Sequence, residues 1–223
     1  MPAPSWYVSW SAAALLGIGA AGWGAAQTPT DLSELIIARD TARQAGDLQT
    51  AQATALEIIR RVETEQGPDA MALTQPLLEL ARIHRALGNG GEAERTYLRV
   101  LDIIQAEQGK AGPDLITPYR ELAQSLMDDE RFEAALDTLE EARSISRRNF
   151  GLFNMGQVQL FDDLTRAYLG LNETAKAQQM QEEKVTLAVR NFGADDLRVA
   201  PYREQLADYY QPVSYTHLRA HET

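Results

Sequence analysis

Residues 109–151 read GKAGPDLITPYRELAQSLMDDERFEAALDTLEEARSISRRNFG, and the spacing inside this stretch decides the fold. It begins and ends on glycine, 42 residues apart. Carrying that interval outward lands on two more glycines, giving the row Gly67, Gly109, Gly151 and Gly193. The flanks recur too, as Glu65-Gln66-Gly67 and Glu107-Gln108-Gly109, then Asn149-Phe150-Gly151 and Asn191-Phe192-Gly193. A second row at the same interval is Ala51, Ala93, Ala135 and Ala177, and a third is Ala38, Leu80, Leu122, Leu164 and Leu206. Independent rows sharing one interval of this length identify a stacked repeat.

Inside one interval the apolar residues follow helical spacing: Leu77, Leu80, Ala81 and His84, then Ala93, Tyr97, Val100, Leu101 and Ile104. Each unit is therefore a pair of amphipathic helices. The turn between them is Gly88-Asn89-Gly90-Gly91 in the second unit and Asp128-Asp129-Glu130 in the third, with Gly46 and Asn172 at the corresponding place elsewhere. The second helix ends near the glycine row, where a left-handed C-terminal cap fits, and Pro76, Pro118 and Pro201 fall where the next helix begins. The fold expected is all-α, a solenoid of antiparallel helix pairs over residues 27–211, with four units and the first helix of a fifth. The alanine row is expected where helices cross closely, because a longer side chain would part them. Leu80, Leu122, Leu164, Tyr97 and Leu139 are expected to fill the seams between helices. Gln181 and Lys184, polar residues in otherwise apolar rows, predict a loosely packed second helix in the fourth unit.

The ends read differently. No charged side chain precedes Asp31, and residues 11–26 are rich in Ala, Leu, Gly and Ile. Gly24-Ala25-Ala26 offers the small residues of a signal-peptidase site, so residues 1–26 are expected to be a signal peptide or a membrane anchor. Export follows, to a bacterial periplasm or envelope, with any membrane association made through this segment alone. At the other end, residues 213–223 (VSYTHLRAHET) do not continue the repeat. Read back into codons they resemble a translated sequencing-library adapter, so residues 212–223 are expected to be a non-native tail, and His217 and His221 are not taken as ligands.

The chain has 223 residues, a formal net charge of -11 and no cysteine. The charge opposes nucleic acid and anionic surfaces, and the missing thiols exclude disulfides, thiolate metal sites and a cysteine nucleophile. His84 shares a row with Ala42, Leu126 and Tyr168 and reads as a packed residue. Gly88-Asn89-Gly90-Gly91 lacks the strand and the Gly-Lys-Ser/Thr of a phosphate loop, and Asp128-Asp129-Glu130 lacks calcium-loop spacing. Phe150, Phe161, Phe192, Tyr168 and Tyr210 read as packing residues. No catalytic residue, metal ligand or cofactor site is assigned.

The patterns Leu80-Ala81 to Glu92-Ala93 and Leu122-Ala123 to Phe132-Glu133-Ala134-Ala135, with the links Gly67-Pro68-Asp69 and Gly109-Lys110-Ala111-Gly112-Pro113-Asp114, resemble tetratricopeptide repeats of the longer, kinesin-light-chain-like variety. The resemblance covers about residues 32–211. It implies a right-handed superhelix with a concave groove lined by the first helix of each unit, and a scaffold or adaptor that binds a protein or peptide segment there. By helical phase, the groove residues are expected to be Arg43, Leu78, Arg82, Arg85, Arg120, Gln124, Met127, Arg166 and Leu169. The arginines suit carboxylates, which points to an acidic segment or a chain terminus; they equally suit pairing with Glu79, Glu121 or Asp162 on the same surface. An alternative is that the array is the recognition region of a longer enzyme, for example a caspase-like peptidase, whose catalytic domain follows it.

Overall fold

The computed structural model of the chain describes residues 31–207 and residue 210. The leader reading of residues 1–26 and the tail reading of residues 212–223 lie outside the described residues. Among the described residues there are eight α-helices in four pairs, a further helical stretch after them, and no strand. The first unit is α1 (Leu32–Gln44) and α2 (Leu48–Gln66), and the second is α3 (Thr74–Ala86) and α4 (Gly90–Gln108). The third is α5 (Ile116–Asp128) and α6 (Phe132–Phe150), and the fourth is α7 (Val158–Gly170) and α8 (Thr174–Phe192). Residues 200–207 are helical and begin a fifth unit. Every first helix has 13 residues and every second helix 19, so each hairpin presents the same faces in the same places. The second helices α2, α4 and α6 each pack on their hairpin partner and on the next unit's first helix, and α8 packs on α7 and on the link that follows it.

The hairpin turns share one hydrogen-bond pattern. The N–H of Gly46, Gly88, Glu130 and Asn172 donates three residues back, to Arg43, Arg85, Met127 and Leu169. The following N–H, of Asp47, Asn89, Arg131 and Glu173, donates five residues back, to Ala42, His84, Leu126 and Tyr168, at 2.9 Å in each case. This is a Schellman motif, which needs a left-handed residue at the first of the two positions. Its φ is +78° at Gly46, +75° at Gly88, and +59° at both Glu130 and Asn172.

The glycine row corrects the sequence reading. Gly67, Gly109, Gly151 and Gly193 do follow the second helices, but their φ of 75° to 96° is combined with ψ of 150° to 175°. That region is extended, not left-handed helical, and is essentially closed to residues with a Cβ. The left-handed caps lie at the hairpin turns, and the glycine row instead breaks helix into link. From each link the chain enters a single 3-10 turn: Met71–Leu73, Pro113–Leu115, Met155–Gln157 and Leu197–Val199. Pro76 and Pro118 then occupy the third position of α3 and α5, within the first turn, whose N–H groups have no partner inside the helix.

The core is continuous from α2 to α8. Ala51, Ala93, Ala135 and Ala177 are completely buried, and Leu80, Leu122, Leu164, Tyr97 and Leu139 fill the seams. The links contribute the buried row Leu73, Leu115, Gln157 and Val199. Gln157 fits there because its amide donates to the Leu152 carbonyl at 2.7 Å and to the Gly151 carbonyl at 3.3 Å, so no polar atom is stranded.

The expected looseness of the fourth unit is not found. Lys184 is 2% exposed in the row of Ile58, Val100 and Ala142, and its ammonium donates to Asp162 and, at 2.8 Å, to Gln205 of the fifth unit's helix. Gln181 donates to the Thr165 hydroxyl at 2.9 Å. A long polar stem can fill an apolar row when its head finds partners at the edge. A third correction concerns the aromatic residues. Phe161 is buried, whereas Phe150 is 57% and Tyr210 38% exposed.

Candidate functional site

The first helices α1, α3, α5 and α7 present one face on which side chains of successive units reach each other. Arg82 on α3 donates to Glu79 on its own helix and to Glu121 on α5, the latter through both Nε, at 2.9 Å, and Nη2. Arg85 donates to Gln124 at 3.0 Å and to Asp128. Arg120 on α5 donates to Asp163 on α7 from Nε at 2.9 Å and from Nη2 at 2.8 Å, and also to Gln159. Gln124 donates to the other Asp163 oxygen at 3.2 Å. The result is a ladder of charged hydrogen bonds stepping from unit to unit. The carboxylates of Glu121 and Glu79 push the Arg82 pKa further above its ordinary value, so its charge is fixed.

Arg82, Arg85, Arg120 and Gln124 are therefore brought together, but by carboxylates and amides of the chain itself. Arg166 and Arg43 are less committed. Arg166 shares Asp163 at 3.2 Å and its side chain is 55% exposed; Arg43 stands 4.0 Å from Glu79 and is 45% exposed. Leu169 is 44% exposed on the same face. Leu78 and Met127 are not surface contacts: they are 3% and 6% exposed, and both belong to the continuous hydrophobic core.

Between the N-terminal halves of α3 and α5 the face opens into a cleft of about 290 Å3, with Leu78 beneath it and Thr74, Gln75, Arg82, Asp114 and Thr117 around it. Hydroxyls, an amide and a carboxylate around a shallow apolar base can pair with the backbone and short side chains of an extended peptide. The sequence rows do not isolate this cleft, whose lining comes from links as well as helices. The fourth unit's acidic partner is not the expected Asp162, which is used by Lys184, but Asp163, in the row Glu79, Glu121 and Asp163, 42 apart. That row was available as a signal.

His84 is 7% exposed and its Nδ1 has no hydrogen-bond partner; burial lowers its pKa. It sits beneath the face, not on it. Among the described residues no group of His, Asp and Glu is arranged to hold a metal ion, and no helix is long and apolar enough to cross a membrane.

Comparison with known proteins agrees with the architecture of stacked helix hairpins. The family model described as tetratricopeptide repeat matches residues 73–147 and 114–187. A structure from Podosopora anserina, of kinesin light chain nearly identical TPR-like repeats, superposes with a TM-score of 0.68 at 20% identity, covering 87% of this chain and 93% of that one. BtubC (BKLC) from P. vanneervenii gives a TM-score of 0.68 at 19% identity, covering 82% and 73%. The MamA protein gives 0.51 at 16% identity, covering 81% and 88%. At these identities the likeness is one of fold. No curated protein sequence matches this chain.

Proposed function

Because the chain belongs to the tetratricopeptide repeat family, whose fold is typical of protein–protein interaction scaffolds, we propose that it is an adaptor whose first-helix face holds an extended segment of another protein. The observation that carries this reading is the combination of a cross-unit charge ladder with an open polar cleft beside it. The ladder fixes the spacing of successive first helices, and a preordered surface spares a ligand part of the ordering cost of binding. The cleft supplies donors and acceptors for a bound backbone.

The charge balance refines the partner. Arg82, Arg85 and Arg120 already hold carboxylates, so an incoming acid gains little at the middle of the face. Arg43 and Arg166, more exposed and at longer range from their partners, are the better receivers. The segment is therefore extended, polar or mildly apolar over the cleft, and acidic where it reaches α1 or α7.

The test is selection of binders from a random peptide library on the full chain, followed by calorimetry with Thr117→Arg and Arg166→Ala. Thr117 is exposed at the rim of the cleft, so a longer side chain there blocks it while the ladder residues themselves are unchanged. Loss of about tenfold in affinity with Thr117→Arg supports the reading. Selected peptides that ignore this substitution refute it.

A further inference from the structure

The links between units carry a feature that the first-helix face does not use. At the two positions after each row glycine the chain has Pro68-Asp69, Lys110-Ala111, Leu152-Phe153 and Ala194-Asp195. Only the third unit has two bulky apolar residues there. Leu152 is 61% and Phe153 48% exposed, next to Phe150. The other units make the same link without them, so folding does not require these side chains.

They form one wall of a cleft of about 260 Å3 between α6 and α8, which Phe161, Leu187 and Thr186 also line. Contiguous exposed apolar surface of this kind marks an interaction site more often than scattered single residues do. The charge around the cleft runs against that of the chain. Arg147 and Glu183 line it, and Glu183 is committed to Arg143 at 2.6 Å, leaving Arg147 at 3.9 Å from that carboxylate and 3.4 Å from Gln157. Burial and the neighbouring Arg143 lower the pKa of Arg147, as expected of a cation short of counter-charge. The Arg190 guanidinium stacks on Phe153, 4.5 Å from the ring centre, and has no carboxylate partner among the described residues.

We propose that this outer cleft docks an acidic segment of a second protein partner, seating a leucine- or phenylalanine-sized side chain against Leu152, Phe153 and Phe161 while a neighbouring carboxylate meets Arg147 or Arg190. An apolar anchor flanked by under-compensated arginines has the composition of an interface hot spot. An acidic protein segment is favoured over an anionic bilayer because the apolar surface is a concave cleft with Glu183 in its wall, which can admit one side chain and meet one carboxylate at a time but offers no open basic plane to lipid headgroups. The site is separate from the first-helix face, so the two partners do not compete.

The test uses the full chain and labelled decapeptides with a central leucine or phenylalanine flanked by Asp and Glu, beside the same peptides flanked by Lys. Fluorescence anisotropy should show binding of the acidic set only, weakened about tenfold by Phe153→Asp or Arg190→Glu and unchanged by Thr117→Arg. Circular dichroism melting checks that the variants stay folded, since both side chains are exposed. Equal binding of both peptide sets, or acidic binding indifferent to Phe153→Asp and Arg190→Glu, overturns the proposal. It is overturned equally if Phe153→Asp abolishes self-association in light scattering or flotation with anionic vesicles, with the peptides unbound.

Discussion

Arg120 and Asp163 stand 43 residues apart in sequence and meet across the boundary between the third and fourth units, with Nε and Nη2 both donating to the same carboxylate oxygen. The Asp163 side chain is 2% exposed and that of Arg120 18%. A pair this enclosed is weak evidence for net stability but is costly to break from one side.

Arg120→Met should therefore destabilise the chain by about 2–4 kcal/mol, because it leaves the Asp163 carboxylate with only Gln124 and Arg166. The double change Arg120→Met with Asp163→Leu should recover most of that loss. Urea unfolding followed by circular dichroism measures both. A single change without effect would mean that the ladder does not bind units together.

Glu130 occupies a left-handed position that the first two units fill with glycine and the fourth with Asn. Glu130→Gly should stabilise by about 0.5–1 kcal/mol, since relief of the strained backbone outweighs the extra freedom of the unfolded chain. Asn172→Gly should change stability by only a few tenths of that scale, roughly 0.3 kcal/mol or less, because Asn tolerates this conformation. Thermal melting distinguishes the two.

Two glycines should resist alanine for different reasons. At Gly109 an added Cβ meets nothing within 4 Å, yet φ is +75°, so Gly109→Ala should cost about 1–3 kcal/mol through backbone strain alone. At Gly170 the Cβ would come within 2.3 Å of the Phe132 ring, so Gly170→Ala should cost about 1–3 kcal/mol by overpacking. Shrinking the ring with Phe132→Leu should rescue the second variant and not the first.

Burial lowers the pKa of His84, with Glu92 acting the other way and Arg95 adding to the depression. The unfolded chain then binds the proton more readily than the folded one. His84 contributes its full stability above the ordinary histidine value near 6.5 and loses it as pH falls from there through its lower folded value. Unfolding midpoints taken from pH 7.5 down to 5.5 should fall for the wild type, and His84→Leu should flatten that fall. A variant as pH-sensitive as the wild type would assign the effect elsewhere.

Much of the fold was legible because it is repetitive. The 42-residue rows of Gly109, Ala93 and Leu80 report positions that stacked hairpins must share, and steric demand there is the same in every unit. Backbone conformation was less legible: glycine at a helix end signals positive φ, but only the hydrogen bonds separate the caps at Gly46 and Gly88 from the extended links at Gly67 and Gly109. Helical phase put Arg82, Arg85 and Arg120 on one face, and it also put Leu78 and Met127 there, because phase on a single helix takes no account of the neighbouring elements among which both are buried. Lys184 was hardest to read, since its acceptors, Asp162 and Gln205, come from two other helices.

In the proposed function a partner segment lies along the first-helix face. A photo-cross-linking phenylalanine analogue placed singly at Gln75, Thr117 or Leu98 tests it with a peptide selected on the full chain. All three positions are solvent-facing, the first two on α3 and α5 beside the cleft and the third on α4. Cross-links from positions 75 and 117 with none from 98 are the predicted result; a peptide captured at 98 and missed by the other two would contradict the account.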